Sequence, residues 1–223
     1  MPFCIAIDGP AGAGKSTVAK LVAEKLNYVY VDTGAMYRAV TLSALQRHVN
    51  LEDERALAEL AASTKIELFA GCDKSTRVFM DGKEVSLEIR APEVSRNVSL
   101  VARVPGVRKE LVNQQRRMAE SSNAVMEGRD VGTVIVPGAQ VKVFLTASVN
   151  ERAKRRWKDL AGQGFKVSLG DMAEEINERD KIDSSRAIAP LVPAPDAKII
   201  DCSKMRLHNV VELILDLVRR RSG

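Results

Sequence analysis

Apolar and polar positions follow two rhythms along this chain. Phe3-Cys4-Ile5-Ala6-Ile7 is an unbroken apolar run, the pattern of a parallel strand buried on both faces. Val18, Leu21, Val22 and Leu26 then recur at helical spacing, with Lys25 as the polar exception. Tyr28-Val29-Tyr30-Val31 predicts a second strand, and Asp32-Thr33-Gly34 turns it into a helix from about Ala35 to Arg47. Asn50 to Thr64 predicts a further helix, striped by Leu57, Leu60 and Ala61. Strand and helix alternate as a parallel α/β sheet requires.

The rhythm changes after Thr64. Ile66-Glu67-Leu68-Phe69 alternates, Gly71-Cys72-Asp73 reads as a turn, and Thr76 to Met80 alternates again. Asp81-Gly82 is a hairpin signal leading into Lys83-Glu84-Val85. This predicts a small antiparallel meander inserted at roughly 63 to 90. Helical pattern follows from about Pro92 to Ser121, broken at Pro105-Gly106. Ala124-Val125-Met126-Glu127 and Val141 to Leu145 return to buried-strand character. Asn150 is a good cap for the helix that follows, which carries Arg152, Arg155 and Arg156 on one face. Gly162-Gln163-Gly164-Phe165 interrupts it. A second helix from about Gly170 carries Glu174, Glu175, Glu178, Arg179 and Asp180, with Asp183 and Arg186 just beyond its end. Ala197 to Asp201 is the last strand, and Val210, Val211, Ile214, Leu215 and Val218 stripe the final helix.

The glycines between the first strand and helix bring chemistry into this pattern. Gly9-Pro10-Ala11-Gly12-Ala13-Gly14-Lys15-Ser16-Thr17 fits G-x-x-x-x-G-K-[ST]. The glycines let backbone N–H groups wrap around phosphate oxygens. Lys15 adds a charge for the β/γ-phosphates, and Ser16 a hydroxyl suited to Mg²⁺. The helix that opens at Ser16 directs its positive end at the same phosphates. Asp32 lies at a strand end, where such sheets bind ligands, and Arg38 lies one turn into the next helix. Gly128-Arg129-Asp130-Val131-Gly132-Thr133 places charges between glycines at another strand end.

Composition narrows the function class. With 223 residues the chain buries one sizeable core, plus a small inserted unit. Its 34 basic and 29 acidic residues leave a formal charge of +5. That mild surplus suits nucleic acid and small anionic substrates equally well, and no long Lys/Arg run favours the polymer. Only 4% of residues are aromatic, too few for a nucleic-acid stacking platform. Cys4, Cys72 and Cys202 are widely spaced and the only histidines are His48 and His208, which argues against a zinc site or a disulfide framework. No apolar stretch approaches the ~20 residues of a membrane span. The first residues enter a strand without a charged segment and cleavage site, so a reduced, cytoplasmic protein without a membrane or nucleic-acid partner is expected.

Four segments together resemble the bacterial cytidylate kinases: Gly9 to Lys15, Asp32-Thr33-Gly34-Ala35-Met36-Tyr37-Arg38, Glu127 to Thr133, and Arg186-Ala187-Ile188-Ala189-Pro190-Leu191. The resemblance spans nearly the whole chain. It implies a P-loop kinase fold, with a parallel central sheet, a small antiparallel insertion and a helical lid. It also implies one catalytic domain over 1–223: a core of 1–35, 122–150 and 187–223, a nucleoside-monophosphate region of 36–121, and a lid of 151–186. ATP, the phosphoryl donor, would lie on Gly9, Pro10, Ala11, Gly12, Ala13, Gly14, Lys15, Ser16 and Thr17, with Mg²⁺ on Ser16. Lys15, Arg38, Arg129 and Arg179 would be catalytic, the three arginines holding the acceptor phosphate. Thr33 would add a hydroxyl to the acceptor site, Ser99, Arg108 and Asp130 would read the cytosine, and Asp183 and Arg186 would hold the sugar edge. Arg152, Arg155 and Arg156 would belong to the lid, and the enzyme would be a monomer. CMP and dCMP are the acceptors the family implies.

Elementary chemistry agrees with phosphoryl transfer between nucleotides. The attacking group is already an anionic phosphate oxygen, so no strong base is needed, and no motif contains histidine. Bringing two polyanions together instead demands several cations, and arginine matches phosphate in a two-pronged way that lysine does not. A GTPase switch would need N-K-x-D, which is absent. Another P-loop phosphotransferase, acting on a different monophosphate or a small alcohol, stays open on the residues alone.

Overall fold

A computed structural model describes residues 2–71, 76–162, 164–165 and 167–222. The tip of the expected turn at Gly71-Cys72-Asp73 and residue Gln163 of the expected break lie outside the described residues.

The first strand β1 (Cys4–Asp8) is buried along its whole length and leads through the glycine loop into α1 (Lys15–Leu26). β2 (Val29–Asp32) follows, and Asp32 caps α2 (Thr33–Gln46) by accepting from the Ala35 N–H at 3.0 Å. The helix expected from Asn50 starts later, as α3 (Glu54–Ser63), because Asp53 accepts from the Ala56 N–H and fixes the start there. The meander is present as β3 (Ile66–Ala70), β4 (Thr76–Met80) and β5 (Lys83–Glu84). A 3-10 turn over Glu88–Arg90 leads to α4 (Pro92–Ala102) and α5 (Pro105–Ser121), each with proline in its first turn, where no N–H is missed.

The chain returns to the sheet as β6 (Ala124–Gly128), makes a single π-turn over Val131–Ile135, and continues as β7 (Val141–Thr146). α6 (Val149–Gly162) is not capped by Asn150, which lies inside its first turn. Ser148 takes that place, its Oγ accepting from the Glu151 N–H. α7 (Leu169–Ser185) starts at the Ser168 cap and runs past Asp183, which is therefore inside the helix and not beyond it. β8 (Lys198–Asp201) and α8 (Leu207–Ser222) complete the chain.

Five strands form a parallel sheet in the order β2-β6-β1-β7-β8, and β3-β4-β5 form a separate antiparallel sheet. α1 and α8 cover one face of the parallel sheet through Val18, Val22, Val210 and Ile214 packed on Ile5, Ile7 and Val143. A second core joins α2, α3, α4 and α5 to the small sheet around Met36, Leu57, Ile89 and Leu111. α6 and α7 share a small core of Ala153, Leu160, Met172 and Ile176. The register sets Asp8 beside Gly128 and Asp32 beside Glu127. The strand ends that carry the sequence motifs thus line one rim of the sheet, where open α/β folds bind ligands.

Candidate active site

The glycine loop bends from β1 into α1 through positive φ angles of 147° at Gly9, 74° at Gly12 and 94° at Gly14. Two of these glycines also leave no space for a side chain. A Cβ at Gly9 would run into the Leu145 carbonyl oxygen at the end of β7, and one at Gly12 would lie 2.9 Å from the Arg152 carbonyl oxygen. Lys15 is buried beneath the loop, and its Nζ donates to the Pro10 carbonyl at 2.9 Å. Burial, and then Arg129, push its ammonium below the ordinary lysine range, while Glu127 pulls it back.

A carboxylate frame lies beside the loop. Both oxygens of Asp8 accept backbone bonds, from the Val131 and Gly132 N–H groups at 2.8 Å each. Asp8 thereby ties the loop strand to the turn that presents Arg129 and Asp130. Burial raises its carboxyl to about 6, against those two bonds. Glu127 accepts from the Tyr30 hydroxyl, and the Ser16 side chain lies near the same carboxylate. Burial, and then Asp32, push the Glu127 carboxyl upward. Thr33 donates its hydroxyl to the Glu127 carbonyl at 2.6 Å.

Thr33, Ser99, Arg108, Arg129, Asp130, Arg179, Asp183 and Arg186, eight residues singled out in the sequence, line one pocket together with Gly34, Tyr37, Val98, Ala102 and Gly128. Arg108 donates to Asp130 in a buried pair, and Arg186 stands 3.8 Å from the other Asp130 oxygen. Asp183 accepts from Arg129 Nε at 2.9 Å and from Ser99 Oγ at 3.2 Å, with Arg179 Nε 3.9 Å away. Burial opposes ionisation of Asp183, yet Arg129 and Arg179 hold its carboxyl below the usual range. The buried Nε of Arg179 and Nη2 of Arg186 have no hydrogen-bond partner among the described residues.

Arg38 lies outside this lining. Its Nη1 donates to Ser95 Oγ at 2.9 Å and to the Ile89 carbonyl at 3.4 Å. Burial, and then Arg179 and Arg156, lower its guanidinium well below the arginine range. Arg179 falls to about 10 through burial and then Arg129. Lys15, Arg129, Arg179, Arg156 and Arg38 therefore form a chain of mutually repelling cations. Such a cluster lowers its energy when a polyanion enters.

The three arginines of α6 do not share one task. Arg152 is buried and donates to the Ala147 carbonyl at 2.9 Å and the Ala11 carbonyl at 3.2 Å, while pairing with Asp180 at 2.7 Å. Arg155 grips the Ala13 carbonyl at 3.1 Å and the Cys202 carbonyl at 2.9 Å. Only Arg156 turns toward the arginine cluster, donating to Ser95 Oγ at 2.7 Å. Two of the three brace the loop's backbone from behind. Periodicity had placed them on one face, but it carries no information about which distant carbonyls that face meets.

Asp8, Tyr30 and Ser95 were not singled out as site residues in the sequence. A charge closing an apolar strand immediately before Gly9 is a signal for Asp8. Ser95 carries none, because its partners lie 57 and 61 residues away.

The fold and this site place the chain among the P-loop kinases. Solved structures agree at the level of the fold alone: an uncharacterised protein from Eubacterium ventriosum has a TM-score of 0.53 at 14% identity, with 97% of this chain and 98% of that one covered. A shikimate kinase from Bacteroides thetaiotaomicron has a TM-score of 0.50 at 15% identity, covering 97% of this chain and 98% of that one. Sequence comparison is more specific. The cytidylate kinase family model matches residues 5–220, and the chain belongs to that family. The cytidylate kinase of Desulforamulus reducens is 57% identical over 217 residues, which are 97% of each chain. That of Pelotomaculum thermopropionicum is 56% identical over 211 residues, 95% of this chain and 93% of its own. The Bacillus subtilis cytidylate kinase is 50% identical over 218 residues, covering 98% and 97%.

Proposed function

We propose that the chain transfers the γ-phosphoryl group of ATP to CMP, and to dCMP, giving ADP and the corresponding diphosphate. The single observation that carries this reading is the pocket in which the buried Arg108–Asp130 pair and the Asp183 group meet the arginine cluster beside the glycine loop.

The donor's phosphates lie on Gly9 to Thr17, with Lys15 released from Pro10 to meet them. Arg38, Arg129 and Arg179 hold the acceptor phosphate, and Asp130, set by Arg108 and accompanied by Ser99, receives the cytosine amino group. Asp183 and Arg186 hold the sugar edge, and Thr33 lies at the acceptor side. Catalysis is positioning plus charge neutralisation, with the acceptor oxygen attacking in line. Residues 151–186 act as the lid that excludes water, 36–121 as the acceptor-binding region, and the remaining segments as the core.

Mg²⁺ fits the donor set. This ion takes few protein oxygens and completes its shell with phosphates and water. Ser16, close to the Glu127 carboxylate, with Asp32 in register beside Glu127, offers such a set. Mg²⁺ would supply charge neutralisation of the donor phosphates.

No helix among the described residues is long and apolar enough to cross a membrane. Buried free thiols at Cys4 and Cys202 suit a reducing, cytoplasmic location. We take the working unit to be a monomer. A coupled ADP-release assay across the ribo- and deoxyribonucleoside monophosphates tests the reading. CMP and dCMP should be the best acceptors, and preferred turnover of any other monophosphate would contradict it.

A further inference from the structure

We propose that Ser95 is a positioning residue that couples the α6 arginine Arg156 to the acceptor-side arginine Arg38. This rests on the reading of Arg38 as a clamp for the acceptor phosphate.

Ser95 is 1% exposed, and its hydroxyl oxygen accepts from both guanidinium groups, at 2.9 Å from Arg38 and 2.7 Å from Arg156. A hydroxyl has two acceptor sites, and here both are taken by cations from different parts of the chain. Its backbone is fixed as well: the Ser95 N–H makes the first turn of α4, donating to Ala91 at 3.0 Å. The two arginines repel each other: both are partly buried, and Arg156 helps to lower the Arg38 guanidinium. A shared neutral acceptor holds two like charges side by side that would otherwise separate. Charge-assisted bonds are the strong kind, and both end on a buried hydroxyl.

α4 therefore works as a ruler. Ser95 and Ser99 are one turn apart on the same face. Ser99 bonds Asp183 at 3.2 Å, beside Arg129 and Arg179, while Ser95 bonds Arg38 and Arg156. One rigid helix thus sets both halves of the arginine cluster. Arg156 comes from α6, whose neighbouring Arg152 and Arg155 hold the glycine loop. The hydroxyl of Ser95 is then the point at which the donor side and the acceptor side are held in a common geometry.

The test is steady-state and double-mutant kinetics on the purified enzyme with ATP and CMP, with circular dichroism to verify folding. Ser95→Ala should lower kcat about tenfold, with KM for ATP and CMP changing less than about twofold. Ser95→Thr, which keeps the oxygen, should retain at least about half of turnover. In an Arg156→Ala background the Ser95→Ala loss should shrink to less than about threefold, because one of the two bonds is already gone. A tenfold loss that persists in that background would overturn the coupling, as would a threonine variant as slow as the alanine one. Raised KM with unchanged kcat would also overturn it. Arg38→Ala, run alongside, separates the two readings: full turnover there contradicts the acceptor clamp itself. A severe loss there with additive Ser95 and Arg156 effects contradicts only the coupling.

Discussion

The ammonium of Lys15 is folded back onto its own loop, donating to the Pro10 carbonyl at 2.9 Å. In the proposed donor site, a buried lysine with that partner would turn to an incoming phosphate at low reorganisation cost. Lys15→Ala should lose at least about a hundredfold in kcat, roughly 3 kcal/mol of transition-state stabilisation, while the fold survives. Turnover by the folded variant checks this. Near-normal turnover would remove Lys15 from the donor site.

Arg38 and Arg129, the arginines of the proposed acceptor clamp, come from different places, α2 and the residue after β6. Alanine at either position should cut phosphoryl transfer severely while ATP affinity, measured by calorimetry, changes little. Lysine should rescue little, since a point charge does not reproduce a planar fork. Equal losses of ATP affinity and of activity would contradict the division into donor and acceptor sides.

Gly9 combines a φ of 147° with a side-chain position closed by the Leu145 carbonyl. Gly9→Ala should cost more than about 3 kcal/mol in urea unfolding, since backbone on β7 must shift. A loss under about 1 kcal/mol would show that the loop and β7 are not packed this tightly.

Asp8 titrates at about 6 in the folded chain against 3.8 for the free side chain. Between those values the folded state binds more protons than the unfolded state. Its contribution to stability is therefore greatest at low pH and falls as pH rises through that window, by about 3 kcal/mol in all. Asp8→Asn lacks this term, so the stability of the parent relative to the variant should decline from pH 4 to pH 7. A difference that stays constant with pH would contradict the burial-driven shift.

Much of the donor side was legible because its signals are local. An apolar strand, glycines at fixed spacing and a helical stripe occupy one continuous segment, and backbone chemistry explains each. The meander was legible for the same reason, through alternation and Asp81-Gly82. Partners far away in sequence were not. Arg152 meets Ala11 across 141 residues, and Arg155 meets Ala13 across 142. Helical spacing puts those arginines on one face but says nothing about the loop carbonyls behind it. Asp183 was expected just beyond its helix, yet no glycine or proline stops the chain before Ser185, and the helix runs on through it. The acceptor pocket entered through family resemblance, and its assembly depends on α4, α5, α7 and β6 converging, which periodicity does not encode.

Selectivity for the base tests the account most directly. Asp130 is buried and held by Arg108, with Arg186 behind it. An ionised carboxylate accepts hydrogen bonds and cannot donate. Facing CMP it gains a charge-assisted bond from the amino group, whereas facing UMP it meets another acceptor, and both are left unpaired. That difference is worth roughly 1–3 kcal/mol, about ten- to a hundredfold or more. The measurement is kcat/KM for CMP and UMP in the parent enzyme and in Asp130→Asn. The parent should favour CMP by at least about tenfold, and the variant should narrow that gap, because an amide can turn its donor toward the uracil oxygen. Equal use of CMP and UMP by the parent, or an unchanged preference in the variant, would contradict the cytosine-reading site.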